Sequence, residues 1–482
     1  MTTTLPSGRQ FAPDFLWGSA TASYQIEGAA HEDGRLPSIW DTFSRTPGKV
    51  LNGDTGDVAV DHYHRVPQDV AIMKKLGLQA YRFSIAWPRV QPTGSGEFNK
   101  LGLDFYVDLV DQLLAAGIKP VVTLYHWDLP QPLEDEGGWA NRETAYRFEE
   151  YARKVAETLG DKVFLWTTLN EPWCSAFLGY ASGVHAPGVT DNEAALKAVH
   201  HLNLAHGLAA RAIKDVLGQD TPMSITLNTH VTRAASDAPE DVEAKRQIDT
   251  IANEVFLRPV VEGVYPPEVF ADTAHITDWS FVQDGDLELI QVPLEVLGIN
   301  YYSTGRVKRG RAAIGHGEPG PDGHKSARNT PFVGADNVEF LPQPGPHTAM
   351  DWNIEPLGLT ELLLDLSKRY PSLPLAITEN GSAWYDEVVD GRVHDQERVD
   401  YLHDHVEAVG QAMDAGADVR GYFVWSLLDN FEWAYGYDRR FGVVHVDYDT
   451  QVRTIKDSGH WYANLVATRT VAPSTEITPL AD

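Results

Sequence analysis

The sequence predicts a single (β/α)8 barrel, and three observations carry that prediction. Eight short apolar runs alternate with amphipathic stretches from residue 15 to about residue 465. Each run is apolar nearly throughout, as a strand buried on both faces of a parallel sheet must be. Polar or aromatic clusters follow at least six of the runs and no Gly-rich phosphate turn follows any, which disfavours an open doubly wound sheet.

In chain order the predicted strands are 15–23, opening Phe15-Leu16-Trp17; 80–86, opening Ala80-Tyr81-Arg82; 120–125, with Val121-Val122; and 163–169, with Phe164-Leu165-Trp166. They continue with 223–227, with Ile225; 296–301, with Val296-Leu297; 373–378, with Leu375-Ala376-Ile377; and 421–426, with Tyr422-Phe423-Val424-Trp425. Helix-like segments lie between them. In 104–115, Phe105, Leu109 and Leu113, then Val110 and Leu114, recur at helical spacing, and Gly117 supplies the stop. The longest connection, 306–350, is rich in Gly, Pro and His and is expected to fold over the barrel mouth as a lid or wall.

A length of 482 residues admits several ordinary domains or one large barrel. The alternation has no Ser-rich or charge-rich linker, so one domain is expected over 1–482, with a short N-terminal extension (1–12) and a C-terminal tail (470–482) that reads as solvated.

Lys and Arg number 39 against 68 Asp and Glu, a net charge of −29 that repels nucleic acid and anionic membrane surfaces. A neutral small-molecule substrate fits that balance, although solubility or salt tolerance alone is the simpler account of the acidity. The start, Met1 to Gly8, has no basic n-region and no apolar h-region, and no apolar run approaches ~18 residues. The chain therefore reads as cytoplasmic, without a membrane partner; assembly into a homo-oligomer is left open. Cys174, the only cysteine, excludes an internal disulfide and reads as a packed small thiol. His62, His64, His200, His201 and His206 raise the question of a metal, but no HExxH or carboxylate-bridged pattern sits at the strand ends, so neither metal nor cofactor is expected.

In such a barrel chemistry gathers where the C-terminal strand ends meet. Two carboxylates lie there: Glu171 in Asn170-Glu171-Pro172 after the fourth run, and Glu379 in Thr378-Glu379-Asn380-Gly381 after the seventh. A lone strand-end Glu commonly caps a helix. A pair three strands apart can instead face each other across the mouth and split a glycosidic bond, one protonating the leaving oxygen while the other attacks or activates water. Arg82, ending the second run, can hold one carboxylate ionised, with a Tyr hydroxyl beside it; the other, in an aromatic setting with Trp173 nearby, would have a raised pKa and act as acid. Thirteen Trp residues exceed core needs, and His126-Trp127-Asp128, Trp425-Ser426 and Glu432-Trp433 set aromatic faces beside polar groups, as a sugar requires.

From residue 15 to about 461 the chain resembles glycoside hydrolase family 1, the β-glucosidase family. The resemblance rests on Phe15-Leu16-Trp17-Gly18, Tyr24-Gln25-Ile26-Glu27-Gly28, Asp61-His62-Tyr63-His64-Arg65 and Tyr81-Arg82-Phe83-Ser84-Ile85-Ala86-Trp87-Pro88. It continues through Leu124-Tyr125-His126-Trp127-Asp128, Asn170-Glu171-Pro172, Gly298-Ile299-Asn300-Tyr301-Tyr302, Thr378-Glu379-Asn380-Gly381 and Asn430-Phe431-Glu432-Trp433.

The resemblance implies a retaining double displacement on terminal, unphosphorylated β-D-glucosides and cello-oligosaccharides, with galactosyl or fucosyl residues tolerated and transfer to another acceptor open. It assigns Glu171 as acid/base, Glu379 as nucleophile, Arg82 and Tyr302 as its orienting partners, and Asn170 as the group on the sugar 2-hydroxyl. Gln25, His126, Glu432 and Trp433 match glycone-binding groups, Trp425 the stacking floor and Trp352 an aglycone-site Trp, while Trp127, Asn300 and Phe441 complete the candidate substrate-binding set. Relatives acting on 6-phosphorylated sugars carry Ser in place of Glu432, and thioglucosidases carry Gln in place of Glu171; neither change is present.

Overall fold

The structure of the chain, a computed structural model, describes residues 8–311 and 330–480. All eight runs form strands: β1 (Leu16–Ala20), β2 (Ala80–Ser84), β3 (Lys119–Tyr125), β4 (Leu165–Asn170), β5 (Met223–Leu227), β6 (Val296–Asn300), β7 (Leu375–Asn380) and β8 (Val419–Trp425). Each pairs in parallel with the next, and β8 returns to β1 to close the barrel. β7 runs two residues past its expected end and so includes Glu379. β1 stops early because Ser23 opens a short helix, Ser23–Ile26, that carries Gln25.

The helix expected over 104–115 spans Lys100–Ala115 and buries Leu103, Tyr106, Leu109, Val110 and Leu113 against the barrel. Leu114 is off that stripe and 43% exposed. Gly117, at φ +78°, takes the left-handed turn that ends the segment.

The connection 306–350 is less irregular than its composition suggests. Thr304–Arg309 pairs in parallel with Val231–Ala234 and antiparallel with Val338–Phe340, because Val307 and Val338 point inward and are buried. Residues 312–329 of this connection, 1–7 of the expected N-terminal extension and 481–482 of the tail lie outside the described residues.

The first three residues of the tail correct the expectation of a solvated extension, whereas 473–480 are exposed or half-buried. Val471 donates its N–H to the carbonyl of Arg9 at 2.8 Å, Trp461 Nε1 donates to the Ala472 carbonyl at 3.2 Å, and 470–472 are buried. Apolar Val471 and Ala472 are buried against the N-terminal segment and the last helix instead of facing water.

Two local features shape the mouth. Gly298 in β6 leaves no room for a side chain, since a Cβ would sit 2.5 Å from Thr226 Oγ1 and 2.9 Å from Thr378 Cγ2. Those two threonines therefore meet in the barrel interior at 3.3 Å. Trp127, Glu171 and Trp433 each adopt a left-handed φ, at 76°, 46° and 47°. Such backbone costs on the order of 1–3 kcal/mol and persists only where its surroundings over-determine it.

Candidate active site

Arg82 rises from β2 into the barrel centre, fully buried. Its Nη1 donates to Glu379 Oε1 at 2.7 Å and its Nη2 to Asn170 Oδ1 at 2.7 Å. Tyr302, just past β6, donates its hydroxyl to the other oxygen of Glu379 at 2.7 Å. Each oxygen of this carboxyl group thus holds one donor, one of them cationic.

Glu171 is held differently. Asn300 Nδ2 donates to its Oε1 at 2.7 Å and the Cys174 thiol to its Oε2 at 3.3 Å, with no cation in contact. Burial pushes this carboxyl up to about 8, the charge of Glu379 adds to the rise, and Asn300, Cys174 and Arg82 oppose it. Burial also pushes Glu379 up, but there Arg82 pulls back first, followed by Tyr302 and Asn300. A single negative charge shared between the two carboxyls therefore resides on Glu379, and Glu171 keeps its proton.

Asn170, at the end of β4, ties the centre together. Its Oδ1 accepts from Arg82 and from Asn300 at 3.0 Å, and its Nδ2 donates to His126 Nε2 at 3.0 Å. His126 therefore carries its proton on Nδ1, and burial, with Arg82 nearby, holds its pKa well below the ordinary value, so the ring is neutral. One Asn170 amide hydrogen is left for a ligand.

Buried polar atoms around this centre without a partner among the described residues include His126 Nδ1, Gln25 Oε1 and Glu432 Oε2. Gln25 is aimed by donating its Nε2 to Asn430 Oδ1 at 3.0 Å and to the Phe431 carbonyl at 2.7 Å. Glu432 is pushed up to about 8 by burial and then by the charge of Glu379. Each unpaired buried group costs about 1–3 kcal/mol, so the set suits a ligand offering several hydroxyls, which both donate and accept.

Aromatic rings wall the site. His126 stacks near Trp425 and Trp433 at 5.7 and 6.0 Å, and Trp127 packs on Trp433 at 4.5 Å while donating Nε1 to the Asn170 carbonyl at 3.0 Å. Tyr302 lies 5.3 Å from Trp352 and 6.0 Å from Phe441. Trp352 is half-buried, and a small recess lies between Trp173, Asn228 and Phe256.

Every expected site residue lies in this cluster, with two changes of emphasis. Asn300 was expected against substrate, yet its amide donates to Glu171 and Asn170 and its Oδ1 accepts from Thr378 Oγ1 at 2.8 Å, so its polar atoms are engaged within the protein. Cys174 does more than pack, as its thiol meets Glu171 and receives Asn228 Nδ2 at 3.5 Å. Its place three residues after Glu171 was the available signal, because the chain turns helically there. Thr378 and Asn430 were not singled out; their roles depend on contacts between distant segments. Of the histidines weighed as metal ligands, His62 pairs with Asp69, His200 with Asp286, His201 with the Trp139 carbonyl and His206 with Thr168.

Residues 7–471 match the family model for glycosyl hydrolase family 1. The chain belongs to this family. Within it, the chain is 52% identical over 466 residues to a bifunctional beta-D-glucosidase/beta-D-fucosidase of Bifidobacterium breve, covering 95% of this chain and 98% of that one. It is 46% identical to beta-glucosidase A of Thermotoga maritima, covering 95% and 98%. The crystal structure of a psychrophilic beta-glucosidase from Micrococcus antarcticus superposes with a TM-score of 0.92 at 48% identity, over 96% of this chain and 98% of that one. The Thermotoga maritima beta-glucosidase in complex with deoxynojirimycin gives a TM-score of 0.88 at 46% identity, over 96% and 99%.

Proposed function

We propose that this protein is a retaining β-glucosidase acting on terminal, unphosphorylated β-D-glucosyl residues, with β-fucosyl and β-galactosyl residues also accepted. The observation that carries the reading is the unequal treatment of two buried carboxyls: Glu379 holds Arg82 and Tyr302 at 2.7 Å, whereas Glu171 meets no cation and is pushed up to about 8.

Glu379 attacks the anomeric carbon while Glu171 gives its proton to the glycosidic oxygen, so the leaving group departs as an alcohol and a glycosyl-enzyme ester forms. Glu171, now ionised, takes a proton from water, which displaces Glu379 and restores the β configuration. An alcohol acceptor entering in place of water yields transfer through the same ester. Gln25, His126, Glu432 and Trp433 bind the glycone hydroxyls, Trp425 supplies the floor, Asn170 takes the 2-hydroxyl and Trp352 borders the leaving group. The bifunctional relative supports fucoside tolerance, and Glu432 stands where relatives acting on 6-phosphorylated sugars carry Ser, which supports an unphosphorylated glycone.

The test is Glu379→Gly, which should abolish turnover of an aryl β-glucoside and recover it with azide, giving the α-glycosyl azide. Failure of azide to restore turnover in folded protein would count against the nucleophile assignment. Cello-oligosaccharides and a cytoplasmic location belong to the same reading and are open to product analysis and cell fractionation. Among the described residues no helix is long and apolar enough to cross a membrane.

A further inference from the structure

Gln25, Arg82 and His126 each have a buried polar side chain two positions away along the chain, and these three side chains meet. Ser23 precedes Gln25 by two, Ser84 follows Arg82 by two, and Asp128 follows His126 by two. The Ser23 N–H donates to Ser84 Oγ at 2.8 Å, the Ser84 hydroxyl to Ser23 Oγ at 3.1 Å, and the Ser23 hydroxyl to Asp128 Oδ2 at 2.7 Å. All three are at most 2% exposed.

The direction of this chain is set by donor inventory. Ser84 spends its hydrogen on Ser23, so the Ser23 hydroxyl must donate onward, and Asp128 is the acceptor that ends the series. Among the described residues Asp128 forms no ion pair, and its Oδ1 has no partner. A buried carboxyl without a cation is costly and needs a reason to be there.

We propose that Ser23, Ser84 and Asp128 form a positioning clamp that sets Gln25, Arg82 and His126 in register, with Asp128 as the terminal acceptor on which glycone binding depends. None of the three touches the reacting atoms. The clamp joins the loops after β1 and β3 to the end of β2, so loosening it displaces Gln25 and His126 while Arg82, also fixed by Glu379 and Asn170, stays in place. Burial pushes the Asp128 carboxyl up to about 7, with Ser23 opposing, so an amide of the same shape is a fair substitute.

The proposal rests on the glycosidase reading, and the experiment separates the two. Asp128→Ala, Asp128→Asn and Ser23→Ala are compared with the parent for kcat and KM on an aryl β-glucoside. Active sites are counted by a 2-deoxy-2-fluoro glucoside, and binding of a glucose-configured iminosugar is measured by calorimetry. Asp128→Ala and Ser23→Ala should raise KM and the iminosugar Kd about five-fold or more while kcat per active site stays within about three-fold, and Asp128→Asn should stay within about two-fold of the parent. Parent-like KM and Kd in the folded fraction of Asp128→Ala, or of Ser23→Ala should the former not fold, overturns the clamp. Asp128→Asn impaired as deeply as Asp128→Ala also overturns it. A parent without hydrolysis would sink the glycosidase reading instead, leaving the calorimetric comparison to judge the clamp.

Discussion

Arg82 Nη1 and Glu379 Oε1 meet at 2.7 Å across 297 residues of sequence, with side chains 0% and 4% exposed. Breaking a buried pair from one side strands a charge, at about 3–5 kcal/mol. Arg82→Met should therefore lower kcat/KM about a hundred- to a thousand-fold. Because Arg82 is the chief group opposing the rise of the Glu379 pKa, the acidic limb of the profile should move to higher pH. A pH series of kcat/KM reads both; an unmoved acidic limb would contradict the nucleophile's dependence on Arg82.

Asn300 and Cys174 both donate to Glu171 and both oppose its raised pKa. Removing a donor to the ionised form favours the protonated one. Glu171 must be protonated for the first step, so Asn300→Ala should carry the alkaline limb of kcat/KM upward, and Cys174→Ala should do so by less. Limbs that move downward would show that these donors do not serve the carboxylate.

Glu432 has a folded pKa of about 8 against an ordinary 4.5, with burial as the chief cause. The sign follows from proton counting: between those values the folded state holds the proton that the unfolded chain releases. Stability from this group is fully present below about 4.5 and is lost as pH rises through about 8. Glu432→Gln removes the penalty and should raise Tm over the parent, with a gap that widens across this window to a few kcal/mol at most. It should also raise KM. Thermal melts at several pH values decide it, and a gap that is constant with pH would assign the effect to packing.

Deleting the tail after Arg469 removes buried Val471 and the acceptor of Trp461. Burial of one such side chain is worth about 2 kcal/mol, which in a chain of this length lowers Tm by about 2 °C while KM holds, since the tail lies against the N-terminal segment near Arg9. A melt with parent Tm would show that the tail contributes nothing.

Much of the barrel was legible because its strands are buried on both faces and so read as apolar runs, and because β-strand ends are where the chain changes from apolar to functional residues. Glu171 and Glu379 stood out for that reason. What local pattern missed has a common cause. Leu114 fits a helical period yet faces water, since the period says which residues share a stripe and not how wide the barrel's contact is. The tail reads as a polar stretch with scattered apolar residues, and the burial of Val471 and Ala472 follows from the N-terminal segment at Arg9 and the last helix meeting them, which sequence pattern does not show.

The sequence alone determined the eight strands, the two carboxylates at β4 and β7, and the family motifs, because each is written in residues adjacent along the chain. Only the tertiary structure decided that Asn300 serves Glu171 and that Ser23, Ser84 and Asp128 meet. These are hydrogen bonds between segments up to 129 residues apart, fixed by barrel closure and donor direction. No short-range periodicity encodes which distant side chain ends within 3 Å of another.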